Sequence, residues 1–446
     1  MNLISKTLAE LALALAAGET TSRALTEAAL EAIADDPRAF TRLDPVRARA
    51  AADAADADRA QGRPATAFAG APISVKDLFD IEGETTTAGS VVLADSPPAT
   101  ADASVVARLK AAGLVVIGAT QMSEFAFTGL GLNPHWPQPP NPRDPTRVPG
   151  GSSGGAAVSV VLGQAAAALG TDTGGSVRIP AAFCGLVGFK PTQRRVTRQG
   201  AFPLSTSLDS IGPIANSVAC CAALDAIISD DPRAASAPVA LADLRLGVPE
   251  NHLLADLEPS VARAFDTALA ALSQAGANIE TFAFPELERI PAMNARGTIA
   301  SVECFAHHRR LGLLSARECY DPNVVTRIEP AGAMPAADYL DLLAARAALI
   351  AEANGRTRGF DALLAPTTPV RAPRLDEVRE PGAFARLNQL VLRNPAVVNM
   401  LDRCSISLPM TCDLAPAGLM LVGETMDDAR LLAIAAAVEA AIPCRR

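Results

Sequence analysis

Helix-forming and strand-forming stretches alternate along this chain, and the alternation limits the folds open to it. SVVARLKAAG, at 104–113, predicts a helix that ends at its glycine, and VVIGAT, at 115–120, predicts the strand that follows. The same pattern continues with a strand at LRLGVPE, a helix at SVARAFDTALAALSQAG and a strand at DALLAPTTPV. The order predicts an α/β fold built on a largely parallel or mixed sheet.

Length and charge narrow the functional classes. With 446 residues, 49% of them hydrophobic, the chain can bury a large core. Its net charge of -9 argues against a nucleic-acid partner, which requires clustered basic side chains. No stretch reaches the roughly 18 uninterrupted apolar residues of a membrane span. Eight cysteines without a CxxC spacing indicate reduced thiols. We therefore expect a soluble, cytoplasmic protein with no nucleic-acid or membrane partner.

Residues 1–60 are rich in alanine and helical in pattern. Glu10 interrupts the first apolar run, which favours an amphipathic helix over a signal peptide, and Thr20 to Ser22 offer an N-cap for a second helix. We expect 1–60 to be an N-terminal helical segment that packs on the core. Residues 61–446 are then the main domain, and the whole chain is one large unit.

GTDTGGSVRIP, at 170–180, places Ser176 behind two glycines. Glycines allow a sharp turn and leave backbone N–H groups open toward a tetrahedral oxyanion, so Ser176 is a candidate nucleophile. The alternative is a helix start capped by Thr173 or Ser176. Neither the four histidines nor a GxSxG motif supplies a recognisable triad. A lysine held neutral can act as the base instead.

Two further stretches complete this candidate site. APISVKDLFDI, at 71–81, predicts a buried strand that ends at Lys76 and Asp77, where desolvation would favour a neutral lysine. Adjacent side chains on an extended chain point apart, so Asp77 should not face the amine. GGSSGGAAVSVV contains Ser152 between glycine pairs. Taken alone, it fits a phosphate-binding helix start or a flexible loop with a serine N-cap, although it lacks the ending of a P-loop.

Together, VKDLFD, PGGSSGG and GTDTGGSVRIPAAFCGLVGFKPT resemble the amidase signature family, in this order and with the two serines 24 positions apart. The similarity continues in LDSIGPIANSV, LLAPTTPV and AGLMLVGETMDDARLL and covers nearly the whole chain. The resemblance implies a three-layer α/β/α sandwich around a large twisted mixed sheet. It also implies hydrolysis of an amide without metal or cofactor.

The resemblance assigns roles to individual residues. Ser176 would attack the carbonyl carbon, and Ser152, after a cis peptide bond, would relay the proton to neutral Lys76. The backbone N–H groups of the adjoining turn would form the oxyanion hole; they belong to Thr173, Gly174, Gly175 and Ser176. Water would then hydrolyse the acyl-enzyme. Activity should climb through about pH 7 to 9 as the lysine deprotonates.

The residues that bind the substrate are less clearly indicated by the sequence than the catalytic residues are. SEFAFTGLG, with Phe125, Ala126 and Phe127, predicts an apolar wall of the pocket, or else part of the core. Arg178 would either meet a substrate carboxylate or tie down its loop through an aspartate or backbone groups. We expect a small, partly apolar amide, anilide or carbamate as substrate and esters as side substrates, with a homodimer as a possible assembly.

The alternative is a component that works with partner subunits, like the amidase component of the tRNA-dependent amidotransferase or a carboxybiuret or allophanate hydrolase. Ile179 stands where that amidotransferase component typically has glutamine, and QRRVTRQG replaces its usual YGRVSRYG. Both departures favour the free hydrolase.

Overall fold

A computed structural model describes residues 3–231, 237–380, 382–410 and 415–442. The strands are β1 Phe40–Leu43, β2 Pro72–Lys76, β3 Val115–Thr120, β4 Ala167–Asp172, β5 Val187–Lys190, β6 Ser210–Ala215, β7 Arg245–Pro249, β8 Asn278–Phe282, β9 Ala362–Pro366, β10 Ser405–Pro409 and β11 Gly418–Val422. Two of the eight cysteines, Cys412 and Cys444, lie outside the described ranges.

The α-helices precede, separate and follow these strands along the chain. They are α1 Leu8–Ala16, α2 Ser22–Asp35, α3 Pro45–Ala60, α4 Ser104–Ala111, α5 Gly154–Val161, α6 Arg178–Cys184, α7 Val218–Ser229, α8 Pro259–Gln274, α9 Ile290–Met293, α10 Ile299–Arg310, α11 Pro322–Ile328, α12 Ala336–Arg356, α13 Leu375–Arg379, α14 Ala383–Met400 and α15 Asp428–Ala441. No helix in the described ranges is long and apolar enough to cross a membrane.

All eleven described strands belong to one mixed sheet, in the order β1-β3-β2-β4-β6-β5-β10-β11-β9-β7-β8. Strand β2 runs parallel to β3 and β4, and β7 runs parallel to β8 and β9. The remaining pairs are antiparallel. Because β2 and β4 are parallel neighbours, their carboxyl ends meet at the same edge of the sheet.

Apolar side chains cover both faces of the sheet. Along β9, Ala362 and Leu364 join one buried cluster, while Leu363 and Ala365 join another. Successive residues of a strand point to opposite faces, so the sheet lies between two layers of packed side chains. The predicted α/β fold with helices around a large mixed sheet is confirmed.

The N-terminal segment packs on this core as expected, with one difference. Leu8, Leu11 and Leu25 join the same buried cluster as the sheet residues, and Thr21 caps α2 through its side chain. However, 1–60 is not wholly helical, because β1 pairs with β3 at the sheet edge. Only Phe40 of its four residues is buried, so β1 lacks the apolar alternation that would reveal it. A boundary at residue 60 stays a prediction.

Candidate active site

Lys76 occupies the carboxyl end of β2, and Asp172 the carboxyl end of β4 beside it. The Lys76 Nζ lies 2.7 Å from the Ser152 Oγ and 2.8 Å from the Thr171 Oγ1. The side chains of Lys76 and Ser152 are fully buried. The fold therefore joins two of the predicted catalytic residues, which are 76 positions apart in the chain.

Burial sets the protonation of Lys76. It lowers the pKa of the amine to about 7, against the smaller opposing effects of Asp209 and Asp172, which raise it. The adjacent Asp77 points elsewhere, as predicted, and is bound by the side chains of Arg42, Thr41 and Thr87. Near neutral pH a substantial fraction of Lys76 is therefore uncharged and able to accept a proton.

The loop before α5 carries Ser152 against the predicted nucleophile loop. The Gly151–Ser152 peptide bond is cis, as the resemblance implies. The Gly151 N–H donates to the carbonyl of Gly129, and the Ser153 N–H donates to the carbonyl of Ser176 at 3.2 Å. Ser176 itself is only 4% exposed. These contacts bring the Ser152 and Ser176 loops together.

The Asp172 carboxylate organises the turn that contains Ser176. It accepts the N–H of Gly175 at 2.8 Å and that of Val177 at 3.2 Å. Gly175 is therefore a correction to the predicted oxyanion hole, because its N–H already has an acceptor. The N–H groups of Thr173, Gly174 and Ser176 make no hydrogen bond within the described part of the chain, so these three can serve a substrate oxygen.

Arg178 holds this turn from behind. Its Nη2 lies 2.8 Å from the Asp172 Oδ1 and 2.6 Å from the Asn399 Oδ1, and its Nε lies 3.0 Å from the Asp172 Oδ2. Although burial opposes ionisation, the guanidinium holds the pKa of Asp172 well below its usual range. Of the two predicted roles for Arg178, the structure shows the loop-tying contact with an aspartate. The guanidinium is fully buried, and its third nitrogen contacts the Met420 sulfur.

Phe125, Ala126 and Phe127 form a kinked segment beside the site, with φ of 48° at Phe125 and 61° at Ala126. All three are nearly fully buried and belong to one apolar cluster with residues of α11. The Phe125 ring packs against His308 at 4.4 Å between ring centres. The segment is therefore core in its packing, and its role in substrate binding stays a prediction.

Besides Asp172, three side chains of the site were not predicted from the sequence. Thr171 contacts the amine of Lys76, and Asn399 contacts both Arg178 and Asp172. Asp209 accepts the hydroxyl of Thr173 and the N–H groups of Leu204 and Ser205. Burial raises the pKa of Asp209 to about 6. Thr171 lies inside GTDTGGS and Asp209 inside LDSIGP, so both belong to stretches that carried the resemblance.

Comparison with known proteins identifies the family. The family model described as Amidase matches residues 24–432. The chain belongs to the amidase signature family. It is accordingly a hydrolase that acts on carbon–nitrogen bonds.

Individual relatives span the whole length of this amidase. It is 38% identical to the 2-amino-5-chloromuconic acid deaminase of Comamonas testosteroni, over 99% of this chain and 97% of that protein. It is 37% identical to a component of the glutamyl-tRNA(Gln) amidotransferase of Myxococcus xanthus, over 98% of each. A crystal structure of an amidase matches with a TM-score of 0.88 and 35% identity, covering 98% of this chain and 100% of the other.

Proposed function

We propose that this amidase cleaves the carbon–nitrogen bond of a small, partly apolar amide, anilide or carbamate through an acyl-enzyme on Ser176, with ester hydrolysis as a side reaction. The observation that carries the proposal is the fully buried Lys76 amine, 2.7 Å from the Ser152 hydroxyl, beside the Ser176 loop. A neutral amine in this position can act as a base without histidine.

The acylation step follows from the arrangement of these groups. The Ser176 Oγ attacks the carbonyl carbon and passes its proton to Ser152, which gives its own proton to Lys76. Open N–H groups of the turn stabilise the negative charge that develops on the carbonyl oxygen. As the carbon–nitrogen bond breaks, the Lys76 ammonium returns the proton through Ser152 to the departing nitrogen. The products are an amine and an ester on Ser176.

Deacylation uses the same relay, with water in the place of Ser176 as the attacking group and Ser176 in the place of the departing nitrogen. Water donates a proton toward Lys76 while its oxygen attacks the ester carbonyl, and Ser176 recovers a proton as the acid leaves. Every step moves a proton or exchanges an acyl bond, so the proposal invokes no metal and no cofactor. We infer that the chain acts alone or as a homodimer in the cytoplasm.

A second candidate comes from the relative that is a 2-amino-5-chloromuconic acid deaminase. Its 38% identity over 99% of the chain supports release of ammonia from a related amino acid. Likeness to the amidotransferase component supports a third arrangement, in which partner proteins are needed. At Ile179 and at 193–200 the sequence differs from the pattern typical of the amidotransferase component, which argues against a need for partner proteins.

A substrate panel tests the proposal. The purified chain is assayed alone against aliphatic amides, anilides, aryl carbamates, ureido acids and 2-aminomuconic acids, with amine or ammonia release as the readout. We expect hydrolysis of at least one class, and a loss of about 1000-fold or more in Ser176→Ala. Ser273→Ala, a surface serine on α8, is the control and should keep full activity.

The outcomes separate the candidates. Amine release from amides, anilides or carbamates supports the main proposal, and ammonia release only from the amino acids supports the second candidate. Activity that appears only with added partner proteins supports the third. Full activity in Ser176→Ala contradicts the mechanism.

A further inference from the structure

A cationic side chain beside the kinked segment has no acidic partner among the described residues. Arg327 lies on α11, and its guanidinium carbon lies 4.4 Å from the centre of the Phe127 ring. Its Nη1 donates to the backbone carbonyl of Phe127. Within the described residues, Arg327 forms no ion pair, and its other guanidinium nitrogens make no hydrogen bond. The Phe127 ring thus packs against one face of the guanidinium, and some of the guanidinium N–H groups remain free to bind a ligand.

The Arg327 side chain is half-buried, at the edge of the apolar cluster that contains Phe127. Burial lowers the pKa of Arg327 to about 10, so the guanidinium is still a cation at neutral pH. Acids on the two segments that meet here are bound by other groups. Glu124, on the kinked segment, is bound by Ser90, His135 and the N–H of Asp321. Glu329, two residues after Arg327, pairs with Arg317. A half-buried cation that has no counter-charge in the described chain, and that still has free N–H groups, can take an anion from outside the chain.

Arg327 is linked to the catalytic loops through the segment that it contacts. Phe127 is two residues from Gly129, whose carbonyl accepts the Gly151 N–H. A Cβ built on Gly129 would lie 3.1 Å from Leu392, and one built on Gly174 would lie 3.7 Å from the same side chain. The segment that anchors Arg327 therefore contacts the Ser152 loop directly and is joined to the oxyanion turn through the Leu392 side chain.

A second polar atom in the same wall lacks a partner. The His308 side chain is fully buried, its Nδ1 lies 2.8 Å from the Tyr320 hydroxyl, and its Nε2 has no hydrogen-bond partner in the described part of the chain. Burial lowers the pKa of His308 to about 4, so the ring is neutral. It can supply a hydrogen bond to a ligand, while Arg327 supplies the charge.

We propose that Arg327 binds a carboxylate of the substrate, so that the bond cleaved at Ser176 belongs to an amide that carries an anionic group; this rests on the proposed function. A guanidinium pairs with a carboxylate through two parallel hydrogen bonds, and the Phe127 ring fixes its plane. Arg178 cannot fill this role, because Asp172 and Asn399 occupy its guanidinium.

The test compares charged and uncharged substrates of equal size. The first series pairs succinanilic, glutaranilic and adipanilic acids with butyranilide, valeranilide and hexananilide, in which a methyl group replaces the carboxylate. The second series pairs 4-acetamidobenzoate with 4-methylacetanilide, which places the charge on the leaving group. We expect kcat/KM of the wild type to favour the charged member of at least one pair.

Variants assign that preference to Arg327. Arg327→Met should lower kcat/KM for the charged substrate by about 100-fold, mainly through KM, and change the uncharged one by less than about threefold. Arg327→Lys should recover part of the loss. Arg310→Met, which removes an exposed arginine of α10, is the matched control and should leave the preference unchanged. Equal losses on both members of a pair, or no charge preference in the wild type, would overturn the proposal.

Binding distinguishes this proposal from the proposed function. Ser176→Ala is titrated with each anilic acid and with 4-acetamidobenzoate, with and without Arg327→Met, by calorimetry. Binding that needs Arg327 supports the carboxylate site even if the wild type hydrolyses no compound, in which case only the proposed function fails. Binding that is absent, or that is unchanged by Arg327→Met, overturns the carboxylate site.

Discussion

At the residue scale, the burial of Lys76 lets its amine act as a base near neutral pH. Removing water from its amine disfavours the charged form and lowers the pKa. The negative charges of Asp209 and Asp172 raise the pKa by a smaller amount, so it falls to about 7. Protonated lysine cannot accept the proton of Ser152. Below pH 7, kcat/KM should therefore fall about tenfold per pH unit, and it should level off above that pH, so the rise lies lower than the pH 7 to 9 expected from the sequence. The profile is measured by initial rates on the best panel substrate.

A substitution at Asp209 tests whether this pH dependence belongs to Lys76. The change Asp209→Asn keeps hydrogen-bonding groups toward Thr173 and the N–H groups of Leu204 and Ser205, but it removes a charge that raises the pKa of Lys76. The midpoint should move to lower pH. Thr173→Val, which removes the hydroxyl and no charge, should leave the midpoint in place. If chemistry is rate-limiting and kcat/KM does not change between pH 5 and 9, Lys76 is excluded as the base.

Arg178 gives a second prediction at this scale. Arg178→Met leaves the Asp172 carboxylate buried without its partner, which should cost about 3 to 5 kcal/mol of unfolding free energy and also lower kcat. The fully buried partners in the wild type are 2.8 Å apart. Arg195→Met, in another buried pair with Asp225, is the control: it should lose stability but keep kcat. A large rise in KM at unchanged stability would instead indicate substrate binding by Arg178.

At the element scale, α5 carries the Ser152 loop against the sheet. A Cβ on Gly155 would lie 2.5 Å from the Ala39 carbonyl and 2.6 Å from that of Gln121, both backbone atoms that cannot move aside cheaply. Gly155→Ala should therefore push α5 outward, cost about 1 to 3 kcal/mol of unfolding free energy, and lower kcat.

Gly355 in α12 is the matched control for that change. It is also a helical glycine, and a Cβ built there meets no atom within 4 Å. Gly355→Ala should leave kcat unchanged and add up to about 1 kcal/mol of stability. Unfolding is followed by chemical denaturation for both variants. Equal effects of the two substitutions would show that the close approach of α5 does not position the site.

At the scale of the whole molecule, the N-terminal helices and the sheet share one core. Leu25 on α2 is fully buried in the same cluster as Ile73 and Val75 on β2. Leu25→Ala should cost about 2 to 5 kcal/mol and lower a single thermal transition of the entire chain. Leu13→Ala, at a position that is 72% exposed, should change little. A separate low-temperature transition in Leu25→Ala would show that 1–60 folds as an independent unit.

The sequence predicts the fold and much of the site because their signals are local. Strand β2 ending at Lys76 and the glycine-rich loops at Ser152 and Ser176 are each visible in fewer than about ten residues. Other features depend on contacts between distant parts of the chain. No local pattern brings Arg327 to Phe127, 200 positions away, or shows that Asp172 takes the N–H of Gly175. Such contacts arise only from packing.

The central claim is that Ser176 is the acylated nucleophile. The most direct measurement is peptide mapping by mass spectrometry after the purified chain reacts with a fluorophosphonate, which labels activated serines. The account predicts one adduct, on Ser176, with loss of activity in proportion to labelling, and no adduct in Ser176→Ala or Lys76→Met. An adduct on another serine, or full labelling of Lys76→Met, would contradict it.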